Sequence, residues 1–92
     1  FMLELIDKLL ASLPEIQGVD AEEIENVKDD LEMVQEQLKT DNPKKNRIGK
    51  ALVGIKKFVG DFSMKLAVTL AAGAVTGADW GMLLQQLENF IR

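Results

Sequence analysis

An all-α fold, with four or five helices around an antiparallel amphipathic hairpin, is what this sequence predicts, and three observations carry that reading. Through residues 20–62 the apolar positions recur at steps of three and four: Ile24, Val27, Leu31, Val34 and Leu38, then Ile48, Leu52, Ile55, Val59 and Phe62. That is the repeat of a narrow helix–helix seam. The chain is rich in Ala, Leu, Glu, Lys and Gln, the favoured helix formers, and its aromatics are confined to Phe1, Phe58, Phe62, Trp80 and Phe90. Pro14, Gly18 and Pro43 fall where the periodic pattern breaks.

The elements follow in order. Met2, Leu3, Leu5, Ile6, Leu9, Leu10 and Leu13 form a wide apolar stripe, so a docking helix is expected over 2–13, ended by Pro14. A helix so short is marginal alone in water and must dock on a larger surface. Asp20 and Glu23 have the spacing of a capping box, with Val19 and Ile24 placed as a hydrophobic staple, which predicts a second helix over 21–40. Asn42 as N-cap and Pro43 at the first helical position would start a third, and so short a link favours an antiparallel pair. A bend is expected at Gly60 and Asp61.

The two arms differ in charge. Residues 20–41 hold Asp20, Glu22, Glu23, Glu25, Asp29, Asp30, Glu32, Glu36 and Asp41 against Lys28 and Lys39. Residues 43–65 hold Lys44, Lys45, Arg47, Lys50, Lys56, Lys57 and Lys65 against Asp61. Opposite signs favour pairing of the arms, in one chain or between chains. Each exposed ion pair adds only about 0 to 1 kcal/mol, so the seam supplies the stability.

Residues 66–78 are uncharged and rich in small side chains. Gly73 with Gly77, Ala67 with Ala71, and Ala74 with Ala78 have the four-residue spacing that lets helix backbones approach closely, which predicts a buried small-residue helix. Gly77 would end it and Asp79 would cap a last amphipathic helix over 80–91, carrying Trp80, Leu83, Leu84, Leu87, Phe90 and Ile91. The candidate association face is therefore Ala67, Leu70, Ala71, Gly73, Ala74, Gly77, Trp80, Leu84, Leu87 and Phe90.

Composition restricts the chemistry. With 92 residues the chain holds one small domain, and with neither cysteine nor histidine it has no thiolate ligand, no disulfide and no imidazole base. Ser12, Ser63 and Thr69 lack a histidine to activate them, so no enzyme, cofactor or metal centre is expected. The lysines of the third helix lack the aromatic interleaving of a nucleic-acid surface, and the chain is acidic overall, so nucleic acid is not an expected partner. The helix-2 acids lie on a regular helix and not in a calcium loop. Gly73 and Gly77 lack the Lys-Ser/Thr ending of a phosphate loop. The uncharged run between Lys65 and Asp79 is shorter than the roughly 20 residues that span a bilayer, although a membrane-active effector segment stays open as the alternative function. Phe1 precedes Met2, and the early acids Glu4 and Asp7 do not suit a signal peptide, so the expectation is a cytoplasmic module, 1–92, excised from a longer protein.

Three blocks carry a resemblance: Asp30-Leu31-Glu32-Met33-Val34-Gln35-Glu36-Gln37-Leu38, Asn42-Pro43-Lys44-Lys45-Asn46-Arg47-Ile48 and Leu52-Val53-Gly54-Ile55-Lys56-Lys57-Phe58. From Glu25 onward the chain resembles a C-terminal helical module of bacterial conflict-type proteins, including the abortive-infection family AbiTii. The resemblance implies an appended helical tail that oligomerises or binds a partner protein during anti-phage defence, and it transfers no catalytic residue.

Leu31→Asp is expected to unfold the hairpin, because it buries a charge without a partner at a cost of about 3–5 kcal/mol. Circular dichroism and a melting midpoint unchanged from the parent would contradict the seam.

Overall fold

The computed structural model describes residues 1–71 and 73–92. Its largest contact is the one the seam predicts, between helix α2 (Ala21–Leu38) and helix α3 (Lys45–Phe62), which lie side by side. Val27, Leu31 and Val34 of α2 and Ile48, Leu52 and Ile55 of α3 are buried, while Ile24, Leu38, Val59 and Phe62 pack partly buried at the seam's ends. Burying a Leu, Ile or Val side chain contributes about 1.5–3 kcal/mol, so these six positions outweigh the surface charges nearby.

Two shorter helices complete the core. Helix α1 (Met2–Ser12) buries Leu5, Ile6 and Leu9, and helix α4 (Gly77–Ile91) buries Trp80, Leu83 and Leu87. Helix α3 packs on α4, and both α4 and α2 pack on α1, so the four helices enclose one core. The radius of gyration, 12.4 Å, matches the value of about 12 Å expected of a compact chain this long. Phe58 anchors the α3–α4 contact, its ring 5.5 Å from Trp80 and 5.2 Å from Phe62 in tilted geometry.

Local sequence sets the ends of these helices, with some differences from the expected ones. After α1 a 3₁₀ turn, Leu13–Glu15, takes Pro14 into its first positions, where the missing N–H costs little. Asp20 is the N-cap of α2 by backbone position, and Ile24 N–H donates to its carbonyl at 3.1 Å, but its side chain makes no cap bond. The expected Asp20–Glu23 box is not formed. The link between α2 and α3 is longer than expected, with α2 ending at Leu38 and α3 starting at Lys45. Gln37, which is buried, accounts for the shift. Its Oε1 accepts the Lys44 amide at 2.9 Å, and its carbonyl accepts the Thr40 hydroxyl at 2.8 Å, so Lys44 rather than Asn42 caps α3. Helix α3 runs through Gly60 and Asp61 and ends at Phe62, where a 3₁₀ turn, Ser63–Lys65, follows.

The main correction concerns residues 66–78, which do not form a small-residue helix. They hold strand β1 (Val68–Leu70) and strand β2 (Gly73–Val75), paired antiparallel as Val68 with Val75, Thr69 with Ala74, and Leu70 with Gly73. Period two won over period four. Val68, Leu70 and Val75 turn towards the core while Thr69 and Ala74 face solvent, and the β-branched residues suit that pleat. Gly73 has φ +133°, outside the helical range and strained for any side chain. The expected Gly77 stop is instead the first residue of α4, three positions before Trp80. A helix through this stretch would also have carried glycine at about 1 kcal/mol each.

Trp80 is fully buried, and its Nε1 has no hydrogen-bond partner. Trp80→Ala is therefore expected to lose about 3–5 kcal/mol in urea unfolding. Trp80→Phe should lose far less, because it keeps much of the ring and removes an orphan donor.

Candidate functional site

The candidate association residues fall into three groups. Ala67, Ala71, Gly73, Ala74 and Gly77 are exposed on the β-hairpin and the first turn of α4. Leu70, Leu84 and Phe90 are half-buried against the core. Trp80 and Leu87 are fully buried, so their surface is spent on the chain's own interior. The hairpin thus gathers the small residues of the face, whereas the large residues of α4 point inward.

Several anchors hold the hairpin in place. Leu66, fully buried, pins its entry, and the next residue in from it, Lys65, donates from Nζ to the Gly18 carbonyl at 2.8 Å. Gly18 has φ +78° and lies under that side chain, where a β-carbon would come within 2.8 Å of Nζ. On the exit side, Asp79 Oδ2 accepts the Thr76 amide at 2.9 Å, the return arm of a capping box. The same carboxylate oxygen lies 4.0 Å from Lys8 Nζ, which ties α4 to α1. Sequence spacing had pointed to Asp79 as the cap itself; Thr76 holds that position.

Pairing geometry decides which backbone groups the hairpin offers. Leu70 and Gly73 flank the turn as a bonded pair, so the alternation of an antiparallel ladder turns the N–H and C=O of Thr69 and Ala74 outward, to the two strand edges. Among the described residues no other backbone hydrogen bond engages either one. Beside β1 lies a polar groove lined by Glu15, Gln17, Lys65, Ala67, Val68 and Thr69. The hairpin itself carries no charge between Lys65 and Asp79. Its chemistry is that of an open strand edge.

Two further surfaces were not singled out by the sequence. Gly49, Leu52, Val53, Lys56, Glu88, Ile91 and Arg92 line a groove between α3 and the end of α4. Lys56 Nζ pairs with Glu88 there, and that hydrogen bond and charge hold the Glu88 carboxyl below its ordinary pKa, with Arg92 adding to the effect. The periodic pattern would have placed Val53 opposite the seam, on the outside of α3. The other surface is the α2–α3 junction, where Asp29, Asp30, Met33, Arg47, Lys50 and Ala51 share a groove. Here Asp30 packs over Gly54, whose hydrogen leaves room for the carboxylate; a β-carbon would stand 3.0 Å from Asp30 Cγ. Burial, and then the charge of Asp29, push the Asp30 carboxyl above its ordinary pKa.

The Ser12 hydroxyl is buried and donates to the Leu9 carbonyl at 2.7 Å. Among the described residues no group of three or more acidic side chains is placed to hold a metal ion, and no helix is long and apolar enough to cross a membrane. The chain matches no family model, no curated protein and no solved structure.

Asp30 generates a pH prediction. Its carboxyl is raised in the folded state, so the folded chain binds that proton more tightly than the unfolded one, and the ionised form is a burden on folding. The burden is full above the raised value and disappears as pH falls below the ordinary carboxylate value. Asp30→Asn is expected to stabilise the protein at neutral pH, with the advantage shrinking to nothing in acid. Denaturant midpoints of parent and variant across pH 3 to 7 check this, and an equal or larger gain in acid would contradict it.

Proposed function

We propose that this chain is a non-catalytic association module that joins copies of itself through the 68–75 hairpin. The observation that supports it best is the uncharged, outward edge at Ala74. Soluble proteins usually blunt such edges with lysine, proline, a bulge or a covering element, because unpaired N–H and C=O groups recruit another strand. Neither lysine nor proline lies between Leu66 and Ala78 in the sequence. Small exposed side chains at Gly73 and Ala74 let a second backbone come close, and pairing like edge with like edge makes a symmetric dimer. The resemblance to appended tails of the AbiTii family adds a setting, self-assembly of a bacterial anti-phage protein.

Light scattering after gel filtration tests this reading across a range of concentrations. The parent chain is expected at a multiple of its 10.2 kDa mass. Ala74→Pro removes an outward N–H and leaves the internal ladder bonds intact, so in 1 M salt, where contacts between charged faces are screened, it should return the chain to monomer without loss of helicity. A parent that stays monomeric at every concentration, or an Ala74→Pro variant that associates as before, would overturn the hairpin as the joining element.

A further inference from the structure

The charge difference between the two central helices has a consequence in three dimensions. On α2, Glu22, Glu25, Asp29, Glu32 and Glu36 follow one another at steps of three and four, and all five are exposed on the side away from the seam. One base, Lys28, flanks the stripe, three residues after Glu25 and four before Glu32. Like charges at this spacing destabilise a helix by about 0.2–0.5 kcal/mol per pair. On α3 the exposed outer side carries Lys50 and Lys57, with Arg47 at the junction groove. The two stripes do not neutralise each other: among the described residues the ion pairs join α1 to α4 and α3 to α4, and none joins α2 to α3. Each stripe also exposes one apolar side chain, Met33 (37%) on α2 and Val53 (68%) on α3.

We infer that the outer face of the α2–α3 pair is a docking surface for a second copy of this chain, the acidic stripe of each copy lying on the basic stripe of the other. A two-fold axis parallel to the helices produces that arrangement, whereas one perpendicular to them would set like charge on like. Both partners come from one sequence, and the carboxylate repulsion left in the single chain is relieved by the lysines of its copy. Met33 and Val53 supply apolar area inside a charged rim. Two helices of 18 residues make a face about 27 Å long and about 20 Å wide, the scale of a weak, reversible interface. This inference rests on the reading of the chain as a self-associating module but assigns it a surface remote from the strand edge.

Two charge-reversed full-length variants test it: Glu25→Lys with Glu32→Lys on α2, and Lys50→Glu with Lys57→Glu on α3. The first breaks the acidic stripe with two bases that face the lysines of its copy, the second makes both stripes acidic, and each alone is expected to lose the contact. Mixed in equal amounts they should form a one-to-one complex by light scattering, and that complex, like the association of the parent through this face, should dissolve near 1 M salt, where screening acts over about 3 Å. Association of each variant as strong as the parent's, or failure of the folded pair to combine, would overturn the inference. Should a charge variant lose its helical circular dichroism, the Ala74→Pro chain decides: self-association of that chain that is unaffected by salt, or absent at low salt, would equally overturn it. Loss of association in Ala74→Pro at all salt concentrations, with both charge variants still assembling, leaves the hairpin reading standing and removes this one. A parent that is monomeric throughout removes both.

Discussion

The contact between α2 and α3 is the constraint on which the rest of the structure depends. Its six buried aliphatic side chains fix the two longest helices side by side, and α1 and α4 then have a surface on which to bury Ile6, Leu9, Leu83 and Leu87. Neither short helix would hold its shape alone in water. Phe58 links the seam to the second half of the chain, because the face of α3 that meets α2 continues into the face that receives Trp80.

Polar groups act at the joints of this packing. Gln37 closes the link between α2 and α3 from inside, Lys65 latches the base of the hairpin to Gly18, and Asp79 serves both the first turn of α4 and Lys8 of α1. A neutral hydrogen bond such as that of Gln37 is worth only about 0.5–1.5 kcal/mol net, and water screens the exposed charged contacts, so these groups select a geometry more than they stabilise it. The most charged surfaces, in contrast, are left largely to solvent. Among the described residues no close ion pair joins these two helices of opposite sign, and they stay together because the seam is apolar.

The surface therefore carries two faces of different chemistry. The hairpin presents backbone groups at an uncharged edge, which is indifferent to salt and demands close approach. The outer helical face presents side-chain charge, which acts at longer range and is screened.

By itself the sequence determined the helices and the seam, because a repeat of three and four residues sustained over 18-residue helices admits one burial pattern. Val27, Leu31, Val34, Ile48, Leu52 and Ile55 were legible for that reason, as was the outward placement of the charges. The short uncharged run of 66–78 was not legible in the same way. Glycine and alanine at four-residue spacing and Val68 and Leu70 at alternate positions about Thr69 coexist there, and a run so short supports either period. The surrounding core decided between them: α1 and the turn after it accept Val68, Leu70 and Val75 on one side of a pleated hairpin, and Gly73 takes a backbone angle closed to a helix. The same packing drew Trp80 and Leu87 inward and left Ala71, Gly73 and Ala74 outside, a division that follows from which neighbours are present and not from the side chains themselves.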